Sequence, residues 1–215
     1  FKEFKEFKEF KEFKEFKEMK KYEFCEEMQY NGITLHRVKA LIDFGIIKAG
    51  DIGGWIQSED NLSHDGTCWV DDGAKVYDKA RVRDNAWVYG EAEIYGEARI
   101  YDSAQVTAKV CENASIYENA FVYDRAVICG FADVHGSAKV YNRAIVCGNA
   151  DVYGKCNVSG NAVITDQAQV CGYIVSGNSV IKDYAQVKGN ANLYSCIVSN
   201  EKVISSGEHY MEQWV

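Results

Sequence analysis

The chain has 215 residues, with 24 Lys and Arg against 32 Asp and Glu and a net charge of −8. That balance argues against a nonspecific binder of a phosphate backbone. The hydrophobic share of 47% is ordinary, and no apolar run reaches the roughly 20 residues that a membrane-spanning helix needs.

Residues 1–18 are six copies of Phe-Lys-Glu. A period of three fits neither a strand nor an α-helix, and on a helix the Phe side chains would spread around the whole cylinder. Lys and Glu four residues apart support a helix by only a few tenths of a kcal/mol each, roughly. Helix or disorder is the expectation, with no docking surface. Met19-Lys20-Lys21-Tyr22 reads as a natural start, and the extension before it as a tag or a translated upstream repeat outside the natural domain. No short apolar core with a cleavage site is present, so no export signal is read.

Residues 19–62 read as a small N-terminal β cap. Tyr22 to Tyr30 supplies a first strand, Asn31-Gly32 a hairpin turn and Ile33-Thr34-Leu35-His36 an alternating second strand. Gly45, Gly50, Gly53 and Gly54 punctuate an irregular stretch that ends at Trp55-Ile56. Trp55 is expected to cover the end of the core, because an open strand edge invites a foreign strand. A partner-binding head is the rival reading of this segment.

From 63 to 205 a small-x-aliphatic step recurs, almost always every six residues, as in Ala74-x-Val76, Ala80-x-Val82 and Ala86-x-Val88. A fixed short period is the signature of a solenoid. Residues two apart in extended chain share a face, so the Ala and the aliphatic both point inward. The Gly, Asp and Asn residues that often follow suit corners. Three such hexads close one triangular coil, and coils stack roughly 4.8 Å apart. The absence of proline suits ladders in which every N–H donates. The inward series breaks between Val106 and Val110, and again after Val170, where it is expected to resume at Ile174 and Val180 and to run through Val187, Leu193, Val198 and Ile204. Residues 206–215 read as a tail. Of eight cysteines, Cys68, Cys156 and Cys196 occupy the small inward slot and read as buried hydrophobes. A reduced, cytoplasmic setting is the expectation.

The hexads, of the form Ala-x-Val-Tyr-Gly or Ala-x-Val-Cys-Gly, resemble the hexapeptide-repeat (trimeric LpxA-like) superfamily. The stretch Leu35-His36-Arg37, Lys48-Ala49-Gly50-Asp51-Ile52-Gly53-Gly54-Trp55 and Asp60-Asn61-Leu62-Ser63 is similar to the opening of YdcK-like proteins, a group labelled putative transferases on fold alone. The resemblance implies an all-β, left-handed parallel β-helix and a trimer. It also implies, as the alternative, an acyltransferase chemistry that uses coenzyme A with a His as general base.

Residues eighteen apart stack on one outer side. Val127/Cys129, Ile145/Cys147 and Val163, with Ile181 above, form an apolar stripe with a cysteine ladder. Contiguous apolar stripes mark interfaces, so a homo-oligomer is expected through this side. No Cys-x-x-Cys or converging His suggests a metal, and no basic stripe or Gly-rich loop suggests nucleic acid or nucleotide. Of the four His, His36 lies in the cap strand and His209 in the tail. His135 has Asp133 beside it and Asp151 one coil away, which suits a general base and equally an ordinary solvated face. His64 is expected at the cap junction, bonded to a backbone group. No loop interrupts the hexads to form a pocket around either. The reading favoured is a non-catalytic structural or binding module. The alternative is the acyltransferase with His135 or His64 as base.

Overall fold

A computed structural model describes residues 20–211 and 213–214. The Phe-Lys-Glu extension and Met19 lie outside the described residues. The fold is a left-handed parallel β-helix of about nine turns, with a short antiparallel hairpin at its N-terminal end. Among the described residues the only helical element is one turn of 3-10 helix at Glu59–Asn61, and no helix is long and apolar enough to cross a membrane.

Most hexads form a two-residue strand and a corner. The strands stack into three walls, parallel throughout the coils and antiparallel only at the N-terminal hairpin. One holds twelve strands, including Val127–Ile128, Ile145–Val146 and Val163–Ile164; we call it the apolar wall. A second, of eight strands, carries Arg81–Val82, Arg99–Ile100, Ser115–Ile116, Asp133–Val134 and Asp151–Val152; we call it the histidine wall. The third has nine strands, among them Phe121–Val122 and Lys139–Val140. Inside, Ala and Val or Ile from all three walls are fully buried in one continuous column. Each buried Val or Ile contributes roughly 1.5–3 kcal/mol.

The corners explain why Asp and Asn accompany Gly in the repeat. The second residue after the inward aliphatic takes a left-handed backbone, for example Asp78 (φ 57°), Asp124 (φ 60°) and Gly130 (φ 72°). Asp and Asn tolerate that conformation better than other side chains. Many of them also use it. Asp124 Oδ2 accepts the N–H of Asn142, one coil on, at 3.1 Å, and Glu112 Oε2 accepts that of Gly130 at 2.7 Å. Acidic corners thus satisfy backbone donors of the next coil on more than one edge of the prism.

Both breaks in the series are real, and they differ. Ile94 pairs with Val110, sixteen residues on, so two residues are missing at Ala108, which is buried and has no left-handed corner. After Val170 only one residue is missing: Ile164 pairs with Ile181, seventeen residues on. The expected register there is therefore corrected by one. Val175 and Ile181, not Ile174 and Val180, point inward and are fully buried. Ser179 fills the small slot, its hydroxyl donating to Ser176 O at 2.7 Å and accepting from Cys196 N at 3.1 Å. The segment expected as a tail also belongs to the coil. Glu208–Tyr210 pairs with Asn192–Tyr194, and Gln213–Trp214 with Ile197–Val198.

At the N-terminal end, β1 (Tyr22–Tyr30) and β2 (Ile33–Ala40) form the hairpin. Asn31 and Gly32 both have positive φ at its turn (49° and 82°), as a tight twist-matching turn requires. β3 (Ile52–Ile56) runs antiparallel to β2 and parallel to Lys75–Val76, so it converts the hairpin into the first coil. Gly53 and Gly54 permit this. A Cβ on Gly53 would lie 2.5 Å from Val70 O, and one on Gly54 2.3 Å from Asp71 O. The core is closed by Trp69, Tyr22, Val38 and Leu62, all buried. Trp55 does not close it. It sits half-buried on the outside, with the Arg37 guanidinium 5.6 Å from its ring, because Ile56 takes the inward place in that strand.

Candidate functional site

His135 follows the strand Asp133–Val134 and projects outward into a column of rings. Tyr101 stacks on Tyr117 (4.9 Å, 5°), Tyr117 on His135 (4.6 Å, 4°) and His135 on Tyr153 (5.5 Å, 11°). Parallel, in-register coils impose this stacking, since side chains one coil apart lie directly over one another. His135 Nε2 lies 3.1 Å from Asp151 Oδ1, and Nδ1 3.7 Å from Glu118 Oε2. Burial raises the Asp151 carboxyl above its usual range; the imidazole opposes that shift, and Asp133 adds to it. Tyr117 is pushed up to about 12 by burial and by surrounding carboxylates. The imidazole is thus sandwiched between two phenols, with a carboxylate toward each nitrogen. A general base needs a nitrogen open to the proton it removes. Here Nε2 is engaged by Asp151, while Nδ1 has Glu118 at 3.7 Å, too far for a hydrogen bond, and the side chain is 22% exposed.

His64 lies at the junction of cap and coil, as its position implies. Its Nδ1 accepts the backbone N–H of Lys21 at 3.1 Å, its ring stacks on Tyr22 at 4.3 Å, and Nε2 faces Glu59 Oε2 at 3.7 Å. Acceptance at Nδ1 leaves the proton of the neutral ring on Nε2. Burial lowers its pKa, partly offset by Glu59. Beside it lies a group that sequence reasoning missed. Lys21 is buried, its ammonium donating to Cys68 O at 2.9 Å and Cys68 Sγ at 3.2 Å, 5.0 Å from the Phe44 ring. Burial lowers the Lys21 pKa and raises that of Cys68. Nothing in the periodicity marks Lys21, which precedes the first coil. His36 stacks on Phe24 at 4.6 Å, and His209 faces Ser206 O at 2.9 Å. His36 and His64 flank the Tyr22–Phe24 pair of rings in the cap, while His135 and His209 lie apart on the coils.

On the apolar wall, Val127, Ile145 and Val163 are consecutive ladder partners, and all project outward. Ile145 is 37% exposed. Ile181 does not belong to this column. It is 0% exposed in the core, and its neighbour Val180 takes the outward place, pairing with Val163 below and Ile197 above. The corrected column is Val127, Ile145, Val163, Val180 and Ile197. Cys129 and Cys147 lie half-buried beside it, and both are free thiols. Burial and neighbouring cysteines push Cys129 up to about 11, so it is a resting thiol and a poor nucleophile. Cys147 lies 3.3 Å from the Thr165 hydroxyl. Among the described residues no group of three or more His, Cys, Asp or Glu could hold a metal.

Lower on the same wall the hairpin tip is strapped down. Tyr30 meets Tyr77 edge-on at 5.9 Å, its hydroxyl donates to Glu93, and Lys75 lies 5.4 Å from its ring. Tyr77 stacks on Tyr95 at 5.1 Å, and on the third wall Tyr123 stacks on Tyr141 at 4.8 Å. The aliphatic column begins above this tyrosine cluster. No protein-family model and no curated protein matches the chain.

Proposed function

We propose that the chain is a non-catalytic hexapeptide-repeat solenoid of YdcK-like type that self-associates through its apolar wall. The observation that carries the reading is the outward column Val127, Ile145, Val163, Val180 and Ile197, five aliphatics in direct ladder succession. Burying such a column between copies yields roughly 25 cal/mol per Å² of apolar area. The half-buried thiols beside it supply soft, adaptable contact area. The alternative, a coenzyme A-dependent acyltransferase, would have to use His135, one nitrogen of which is held by Asp151, or His64, whose Nδ1 accepts the Lys21 N–H.

Ile145→Glu tests the reading. The side chain points outward, so the coil should persist by circular dichroism while the mass from light scattering falls. An unchanged mass would defeat the proposal. A thermal-shift screen with acetyl-CoA and nucleotide-sugars addresses the enzyme reading; a shift abolished by His135→Ala would revive it.

A further inference from the structure

The histidine wall carries a second pattern, independent of the apolar column. In its first five strands the outward residues just before each inward aliphatic are Arg81, Arg99, Ser115, Asp133 and Asp151, and the three strands above carry Gln169, Gln186 and Val203. Arg81 lies directly opposite Arg99, and Asp133 directly opposite Asp151. Like charges in direct ladder opposition are unfavourable. Neither guanidinium makes an ion pair or hydrogen bond among the described residues. Glu97, a carboxylate near both, is held by Lys79 at 2.9 Å. Asp133 is likewise unpaired among the described residues, and Asp151 has only His135.

Two plus charges, a neutral centre and two minus charges form a pattern that is its own complement when reversed. We propose that the histidine wall docks on the same wall of a second copy, antiparallel, about a twofold axis along the strand direction at the Ser115 rung. Such an axis keeps each column facing itself and reverses the order of coils. Arg99 of one copy then meets Asp133 of the other, and Arg81 meets Asp151, each pair twice. In the neighbouring column Arg83 of one copy meets the Tyr153 ring of the other, a cation–π contact, Tyr101 meets His135, and Tyr117 meets itself. The rungs are evenly spaced at roughly 4.8 Å, so all pairs align together. One contact removes both like-charge oppositions at once. A small anion would use only the arginines and leave the paired aspartates as they are.

Each copy carries a net charge of −8, so copies repel at long range. At physiological ionic strength the screening length is about 8 Å, which damps that repulsion more than contacts between touching groups. The test is made there, in an Ile145→Glu background that removes the apolar contact, so failure of that contact does not touch this one. Sedimentation velocity over a concentration series should show a reversible dimer. Arg99→Asp alone and Asp133→Arg alone each create two repulsive pairs per dimer and should weaken association about tenfold or more. An equimolar mixture of the two variants should restore it, because every opposed pair is again of opposite sign. All three side chains are outward, and circular dichroism verifies the folds. A chain that stays monomeric, single variants that associate like their parent, or a mixture that fails to recover would each overturn the proposal. So would inorganic phosphate binding that depends on Arg99 in a chain that does not associate; it would make the arginines an anion site.

Discussion

The coils and the cap both keep water from one apolar column, and they do it by different physics. In the coils each residue type has a fixed duty that recurs: Ala and Val inward, a left-handed Asp, Asn or Gly at the corner, and a carboxylate for the next coil's N–H. Each coil is supported chiefly by its neighbours, as in repeat proteins generally. The cap has no recurring duty. Trp69, Tyr22, Asn61, His64 and Lys21 each do something once, across separations of up to 47 residues. Stability in the coils is spread over many small equal terms, while in the cap it rests on a few large ones.

That difference sets the order of expected effects. Trp69→Ala opens the end of the core and should cost about 3–5 kcal/mol, read by urea denaturation. Asn61 is buried, accepting from Gln57 N and Ser58 N and donating to Asp78 O and Ala80 O. Asn61→Ala orphans these groups and should cost about 1–3 kcal/mol. In the coils Ile128→Val should cost only about 0.5–1.5 kcal/mol. Asp124→Ala, which removes one corner acceptor, should cost about 1 kcal/mol, with faster amide exchange at Asn142. Coil substitutions that cost more than the Trp69 and Asn61 changes would break the comparison.

The smallest effect is a pH dependence. His64 titrates lower folded than unfolded. Its contribution to stability is therefore complete above the unfolded value of about 6.5 and is lost as pH falls through the folded one. Protonation of Nδ1 would also expel the Lys21 N–H. His64→Asn keeps an acceptor near that N–H without the titration, so it should flatten the loss between neutral and mildly acid pH, followed by thermal melting. An identical slope in both proteins would assign the dependence elsewhere.

Periodicity made most of the fold legible, because inward and outward follow from counting by two within strands and by six between them. Counting failed where two aliphatics stand side by side. At Ile174-Val175 and Val180-Ile181 either residue suits the core, and the missing corner residue decides between them. Ser179 in the small slot was the available signal. The last coil hid for a related reason: His209 sits opposite Leu193, at an inward place where a polar residue breaks the pattern. Trp55 and Trp69 each precede an inward aliphatic, Ile56 and Val70, and hold the same outward register; Trp69 is buried because cap residues such as Phe44 pack over it, which counting cannot show. The apolar stripe was legible in Val127, Ile145 and Val163, while Arg81 and Arg99 lie across the sixteen-residue coil from Asp133 and Asp151, where counting by eighteen fails.

Thiol labelling compares the two regions within one molecule. Cys25 is exposed on the cap, and Cys147 stands beside the aliphatic column. If the apolar wall is the contact between copies, Cys147 should react with a maleimide slowly at high protein concentration, and faster on dilution or in Ile145→Glu, while Cys25 reacts at one rate throughout. A Cys147 rate that ignores both dilution and the substitution would contradict the account.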